Sequence, residues 1–275
     1  MRRLVFACST ALLTFLVGCA SIDPSPSPSP QGAGIRLSSS DAEAIGRKIW
    51  SNECGGTIQG LTSWNEGEDF PSLGIGHFIW YPVGRRGPFE ESFPPLITYM
   101  GQRGVRVPAW IADSRGAPWQ SRSEFLAERD SLRMNELRQF LSDNVPVQTG
   151  FIVQRLELAL PKMEDASTPA DRERLHQNFY QVASTRTGVY ALIDYVNFKG
   201  EGIKAEESYR GQGWGLRNVL LEMGPTGSGP SASVEFSEAA KRVLTRRVSN
   251  SPPERSENRW LPGWKNRCDT YRTGI

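Results

Sequence analysis

Two histidines and four cysteines are all that this 275-residue chain contains of the residues that hold most transition metals. His77 and His176 lie far apart, and no cysteine stands at ligand spacing from either, so no metal and no cofactor are expected. No G-x-S-x-G elbow is present, which removes the common Ser-His-acid hydrolase pattern. The run "GQGWG" at 211–215 lacks a following Lys-Ser/Thr pair, so it is not a phosphate loop. Excess charge is missing too. The net charge is +2, and outside Arg2 and Arg3 the 30 acidic residues face an equal number of basic ones. That balance offers no field for a polyanion, and no nucleic-acid partner is expected. The apolar run Leu4–Val17 is too short to cross a bilayer comfortably.

That run follows the basic pair Arg2-Arg3 and ends in Leu16-Val17-Gly18-Cys19, the layout of an export signal. The tetrapeptide resembles the lipobox of bacterial lipoproteins. The resemblance implies a signal peptide over 1–18, cleavage before Cys19, and acylation of that cysteine, which anchors the chain to a membrane. An ordinary secretory signal with a chance cysteine is the plainer alternative. Ala20 after the cysteine, by the sorting rule of enterobacterial lipoproteins, implies the outer membrane, with the chain facing the periplasm. Residues 19–36 include "DPSPSPSPQGAG". Alternating Pro and Ser cannot build a core and favour polyproline-type extension, so this segment reads as a semi-rigid spacer. At ~3 Å per residue it reaches roughly 60 Å. Cys8 falls in the signal and Cys19 is the anchor. Cys54 and Cys268 remain, in a compartment that permits disulfides; a bridge between them and two buried thiols both stay open.

Residues 37–275 show no second linker and no repeat, and read as one α+β domain, mainly α. Ser40-Asp41-Ala42-Glu43 reads as a capping box opening a helix. Ile45, Ile49 and Glu53 share one stripe of that helix, and Gly55-Gly56 ends it. From Thr57 to Tyr81 the pattern turns to β: Leu61 and Trp64 precede the acidic turn 65–69, and Leu73, Ile75, His77 and Ile79 alternate after it. Further on the chain reads as helices. One opens near Ser123 with a break around Ser131, one starts near Thr149, and one opens at Thr168-Pro169. Segments 187–198, 214–223 and 234–248 follow.

An acid on an apolar stripe at a helix C-terminus is the oddity. Burial and the helix dipole both disfavour a charged carboxylate there, so Glu53 reads as a candidate proton donor. The plain alternative is a glutamate at the stripe's edge pointing to solvent.

The stretch from Glu53 to His77 resembles the phage-type lysozymes. That family has a catalytic Glu at the end of its first helix, then eight residues, Asp or Cys, five residues, and a Thr with an apolar residue before GIGH. Here twelve residues separate Glu53 from Glu66, five more lead to Ser72, and Leu73 precedes Gly74-Ile75-Gly76-His77. The five-residue spacing and GIGH match. The longer first gap, Glu for Asp and Ser for Thr depart from the pattern. "RWLPGWKNRCDTY" near the C-terminus is similar, more weakly, to the closing helix of such enzymes.

The resemblance implies a lysozyme-like domain with a hairpin after the first helix, and a muramidase-type glycosidase acting on peptidoglycan glycan strands. Glu53 would protonate the glycosidic oxygen. Glu66 and Ser72 would hold the attacking water on the opposite face, in inverting geometry. Glu68 and Asp69 compete with Glu66 for the second role. His77 would support the hairpin. Gly74 and Gly76 either let backbone approach the sugar or merely mark a bulge. Tyr209, Gln212 and Trp214 suit a glycan-binding loop, or else anchor a glycine-rich connection to the core. Trp64, Trp80 and Tyr81 carry the same two readings. The rival functions are a lytic transglycosylase, which needs one acid only, and an inactive peptidoglycan-binding lipoprotein.

Overall fold

Ser38 opens the first helix, α1 (Ser39–Cys54). Its Oγ accepts the Asp41 N–H at 3.0 Å and donates to the Asp41 carboxylate at 2.7 Å. The cap therefore lies two residues before the expected Ser40. Starting there sets Leu37 just outside the helix, where it packs on the core beside Ala42, the arrangement of a hydrophobic staple. Gly55, at φ 63°, closes α1 in the left-handed conformation that glycine adopts without penalty. The computed structural model describes residues 34–87 and 89–275. The expected signal peptide, Cys19 and most of the spacer lie outside the described residues.

A three-stranded antiparallel sheet follows: β1 (Thr62–Ser63), β2 (Ser72–Leu73) and β3 (Phe78–Ile79), in that order. Thr62 pairs with Leu73, and Leu73 with Phe78. The expected continuous alternation from Leu73 to Ile79 is broken. Gly74-Ile75-Gly76-His77 is a tight turn, with the His77 N–H on the Gly74 carbonyl at 3.3 Å and both end residues at positive φ, 71° and 48°. Gly74 is needed twice over: a Cβ there would also sit 2.3 Å from Gln148 Oε1. At Gly76 a Cβ would meet the Phe78 ring at 2.8 Å and Ile152 at 3.1 Å. Both glycines thus serve close packing of the turn.

The remainder is helical apart from one ribbon. In order come α2 (Phe93–Gln102), α3 (Ala109–Ala112), α4 (Arg122–Ala127), α5 (Leu132–Asp143), α6 (Val145–Asp165), α7 (Pro169–Val182) and α8 (Arg186–Lys199). Then come β4 (Ser208–Tyr209), β5 (Gln212–Gly213), α9 (Leu216–Glu222), α10 (Pro230–Asn250) and α11 (Leu261–Asp269). Ser131 caps α5 and Thr168 caps α7 through their hydroxyls, as their positions before the apolar runs imply. Helix α6 begins four residues before the expected Thr149, because Pro146 fits its first turn. The architecture is mainly α with a small antiparallel sheet.

Helix α1 lies along α6 and against α8, and α10 packs on α8, α9 and α11. Trp64, Trp80 and Tyr81 are all buried; Trp80 stacks near Phe93 at 4.7 Å and Tyr81 meets Phe70 edge-on at 5.2 Å. They fill the core. Among the described residues no helix is long and apolar enough to cross a membrane.

Candidate active site

Glu53 sits in the last turn of α1, its side chain 28% exposed, and it is not alone. Arg267 Nη2, from α11, donates to Glu53 Oε1 at 3.1 Å. The same guanidinium grips Asp194 on α8 with two bonds, Nε to Oδ2 at 2.7 Å and Nη2 to Oδ1 at 2.8 Å. Asp194 is buried, and its remaining capacity is taken by the Tyr271 hydroxyl at 2.7 Å and Asn52 Nδ2 at 3.3 Å. A carboxylate so fully used has no oxygen left for a further partner. Glu53, by contrast, has no partner on Oε2 among the described residues. The acid expected on a bare apolar stripe is therefore an acid held by a cation that is itself neutralised by a neighbour.

Burial works against the charge of Arg267, but the hydrogen bonds and attraction of Asp194 outweigh it, and the guanidinium stays firmly cationic. Burial and then Asp194 raise the Tyr271 hydroxyl well above its ordinary range, so it remains a donor. Tyr190 shifts the same way for the same causes, and its oxygen accepts from Asn52 at 2.8 Å. Arg267 also lies over the Phe198 ring, 4.5 Å from its centre.

Cys54 joins this corner to the turn: its Sγ donates to the Gly74 carbonyl at 3.5 Å. The Gly74 N–H in turn bonds the Leu61 carbonyl at 2.8 Å, and Ile75 N–H bonds Gln148 Oε1 at 3.0 Å. The C-terminal end of α1, at Cys54, is thus fixed against the GIGH turn. His77 occupies the last position of that turn.

The other expected residues are placed differently. Glu66 is exposed and has no hydrogen bond or ion pair among the described residues. Glu68 accepts from Asn65 at 3.2 Å, and Asp69 is exposed. Ser72 is buried in β2, paired with Ser63 and Ile79. No hydrogen bond or ion pair joins Glu53 to any of these four among the described residues. The ribbon residues Tyr209, Gln212 and Trp214 do not form a stacking platform. Trp214 is buried with the Arg247 guanidinium 3.9 Å over its ring, and Tyr209 donates to Glu257 at 2.9 Å. Gln212 accepts from Asn250 at 3.3 Å. The segment is fastened to α10 and the 257–259 turn.

A groove of about 390 Å³ opens beside the turn. Gly76 and Phe78 form one wall, Ile152 and Ala159 of α6 the floor, and Asn197 with the 200–207 segment the other wall. Two ion pairs border it, Arg155 with Glu90 at 3.7 Å and Lys162 with Glu201 at 3.6 Å. Gly76 belongs to both the motif and the groove, whereas Glu53 does not line it.

Cys54 and Cys268 are free and buried in the structure, with no bridge between them. Burial pushes both thiols up to about 12, the charge of Glu53 adding to the rise at Cys54. At pH 8 almost no thiolate is present, and the thiolate is the reactive form. Alkylation of the native protein followed by peptide mass mapping is therefore expected to leave both unlabelled. Denaturation without reductant should label both; a disulfide would keep them unlabelled there too.

Sequence reasoning missed Asp194 and Arg267 as site residues. Asp194 carried a signal, an acid inside the apolar run "TGVYALIDYVNF". No protein-family model, curated protein or solved structure matches the chain.

Proposed function

We propose that the chain is a peptidoglycan-cleaving glycosidase with a lysozyme-like domain, in which Glu53 protonates the glycosidic oxygen between amino sugars. One observation carries the reading: a carboxyl with a free oxygen is oriented by the Arg267–Asp194 pair and tied through Cys54 to the GIGH turn. General acid catalysis asks for such a group in fixed orientation. A mainly α body with a small antiparallel sheet after the first helix is compatible with that fold. Export and acylation at Cys19 would put the domain at the inner face of the outer membrane, within reach of the wall; metabolic lipid labelling checks the anchor.

The test is digestion of purified peptidoglycan with mass analysis of the products. Reducing ends indicate hydrolysis. Anhydro ends indicate transglycosylation, and absence of soluble fragments leaves only a wall-binding lipoprotein. The exposure of Glu66 and the burial of Ser72 favour a lytic transglycosylase as the second reading, since that reaction needs no water-orienting pair. Glu66→Gln separates the two. A hydrolase should lose activity strongly and Glu68→Gln should be mild; a transglycosylase should keep full activity in both variants.

A further inference from the structure

Helix α6 turns one stripe into the groove beside the GIGH turn: Ile152, Arg155, Leu156, Ala159 and Lys162, at the spacing of a single helix face. The stripe is apolar except for its two cations. Arg155 and Lys162 stand two helical turns apart, ~10 Å along the axis. Each faces an acid on one wall, Arg155 with Glu90 at 3.7 Å and Lys162 with Glu201 at 3.6 Å. Both pairs are too long for a hydrogen bond. Arg155 and Lys162 are exposed, so their N–H groups are open to a ligand. Lys204, exposed on the same wall as Glu201, has no ion pair among the described residues.

That wall is folded on itself. Glu207 accepts the Gly202 N–H at 2.5 Å and the Ile203 N–H at 3.1 Å, and Gly200 and Gly202 take the positive φ that the turn requires. Gly76 stands in the turn that holds the end of α1 through Cys54, so the groove and α1 meet at one turn.

We propose that the groove binds a short extended peptide carrying free carboxylates and a free amine on small side chains, and that this peptide is the stem of peptidoglycan. The choice of a wall peptide rests on the peptidoglycan reading of the chain. Three extended residues span roughly 10 Å, the separation of the two cations along α6. Carboxylates at the ends of such a peptide meet Arg155 and Lys162, and Lys204 offers a third cation. Glu90 and Glu201 supply the countercharge for the amine, and methyl groups lie on Ile152, Leu156 and Ala159. Stem peptides have this make-up: alanines, a γ-linked glutamate with a free α-carboxylate, and a diamino acid. A bare polyanion fits less well, because each cation on α6 has an acid beside it. An uncharged glycan would leave all of these charges unused.

Titration calorimetry of the full chain with L-Ala-γ-D-Glu-meso-diaminopimelyl-D-Ala tests this without turnover. The wild type should bind. Arg155→Ala and Lys162→Ala should each weaken binding about tenfold, the loss of one hydrogen bond between charged groups. Both side chains are exposed, so neither variant should unfold, which thermal melts check. Arg85→Ala, which removes an exposed cation outside the groove, should bind as the wild type does. The same peptide with its carboxylates amidated should not bind. Wild-type affinity in both groove variants, or binding untouched by amidation, overturns the site. Equal binding of the α-linked, all-L peptide Ala-Glu-Lys-Ala overturns its assignment to the wall. Peptide binding with peptidoglycan left intact overturns the glycosidase reading and keeps the groove; digestion without peptide binding does the reverse.

Discussion

Glu53→Gln is expected to lower peptidoglycan digestion by ~10²–10⁴-fold, the usual worth of a general acid, while leaving the fold intact. The amide cannot give up a proton at any useful pH, and no other acid stands ready at the site. Asp194 has both oxygens committed, and Glu66, Glu68, Asp69 and Ser72 make no hydrogen bond or ion pair with Glu53 among the described residues. The glutamine oxygen can still accept the Arg267 bond, and Arg267 retains its two bonds to Asp194. The lost ion pair is partly exposed, so its removal should cost about 1 kcal/mol or less. Digestion rates measured beside thermal melts of the same preparation separate the two effects. Full activity in this variant sinks the catalytic assignment, and a collapsed melt moves Glu53 to a structural role.

What the sequence disclosed about this site follows the range of the interactions. Ile45 and Ile49 recur at helical spacing, and glycine ends the helix, so the place of Glu53 at the end of α1 was legible from local pattern. Thr168-Pro169 announced α7 for the same reason. The GIGH segment misled, because Leu73, Ile75, His77 and Ile79 imitate strand alternation. The glycine at position 74 decided otherwise, since its left-handed backbone turns the chain back after two strand residues. Trp214 carried two readings, a sugar platform or a core anchor. Its burial favours the anchor, and the cation covering its face comes from α10, a contact that no spacing rule reports. Asp194 could have been found. Nearly the whole circumference of α8 around it is buried, and an acid there must be paired. That its partner would be Arg267, and that Arg267 would also reach Glu53, depends on how α11 returns to α1 at the end of the chain.

Asp194→Asn should be the most damaging single change to stability in this region. The carboxylate accepts from Arg267 twice, from Tyr271 and from Asn52, and its side chain is only 2% exposed. An asparagine supplies one acceptor oxygen and replaces the other with a donor, which in either orientation faces an Arg267 N–H, together with the Tyr271 hydroxyl at one position or Asn52 Nδ2 at the other. Arg267 then keeps its charge without its main partner. Breaking a buried pair from one side costs about 3–5 kcal/mol. For a domain of this size that lowers the melting temperature by on the order of 10 °C. Activity should fall as well, since Arg267 is what orients Glu53. The double variant Asp194→Asn with Arg267→Met tells the cause. Removing the stranded guanidinium takes away the unpaired charge, and the asparagine oxygen can serve Tyr271 alone, so much of the lost stability should return. Activity should not, because nothing then holds Glu53 in place. A melt for Asp194→Asn within 1 °C of wild type would show that the Asp194–Arg267 pair contributes little, and recovery of activity together with stability in the double variant would remove Arg267 from the account of Glu53.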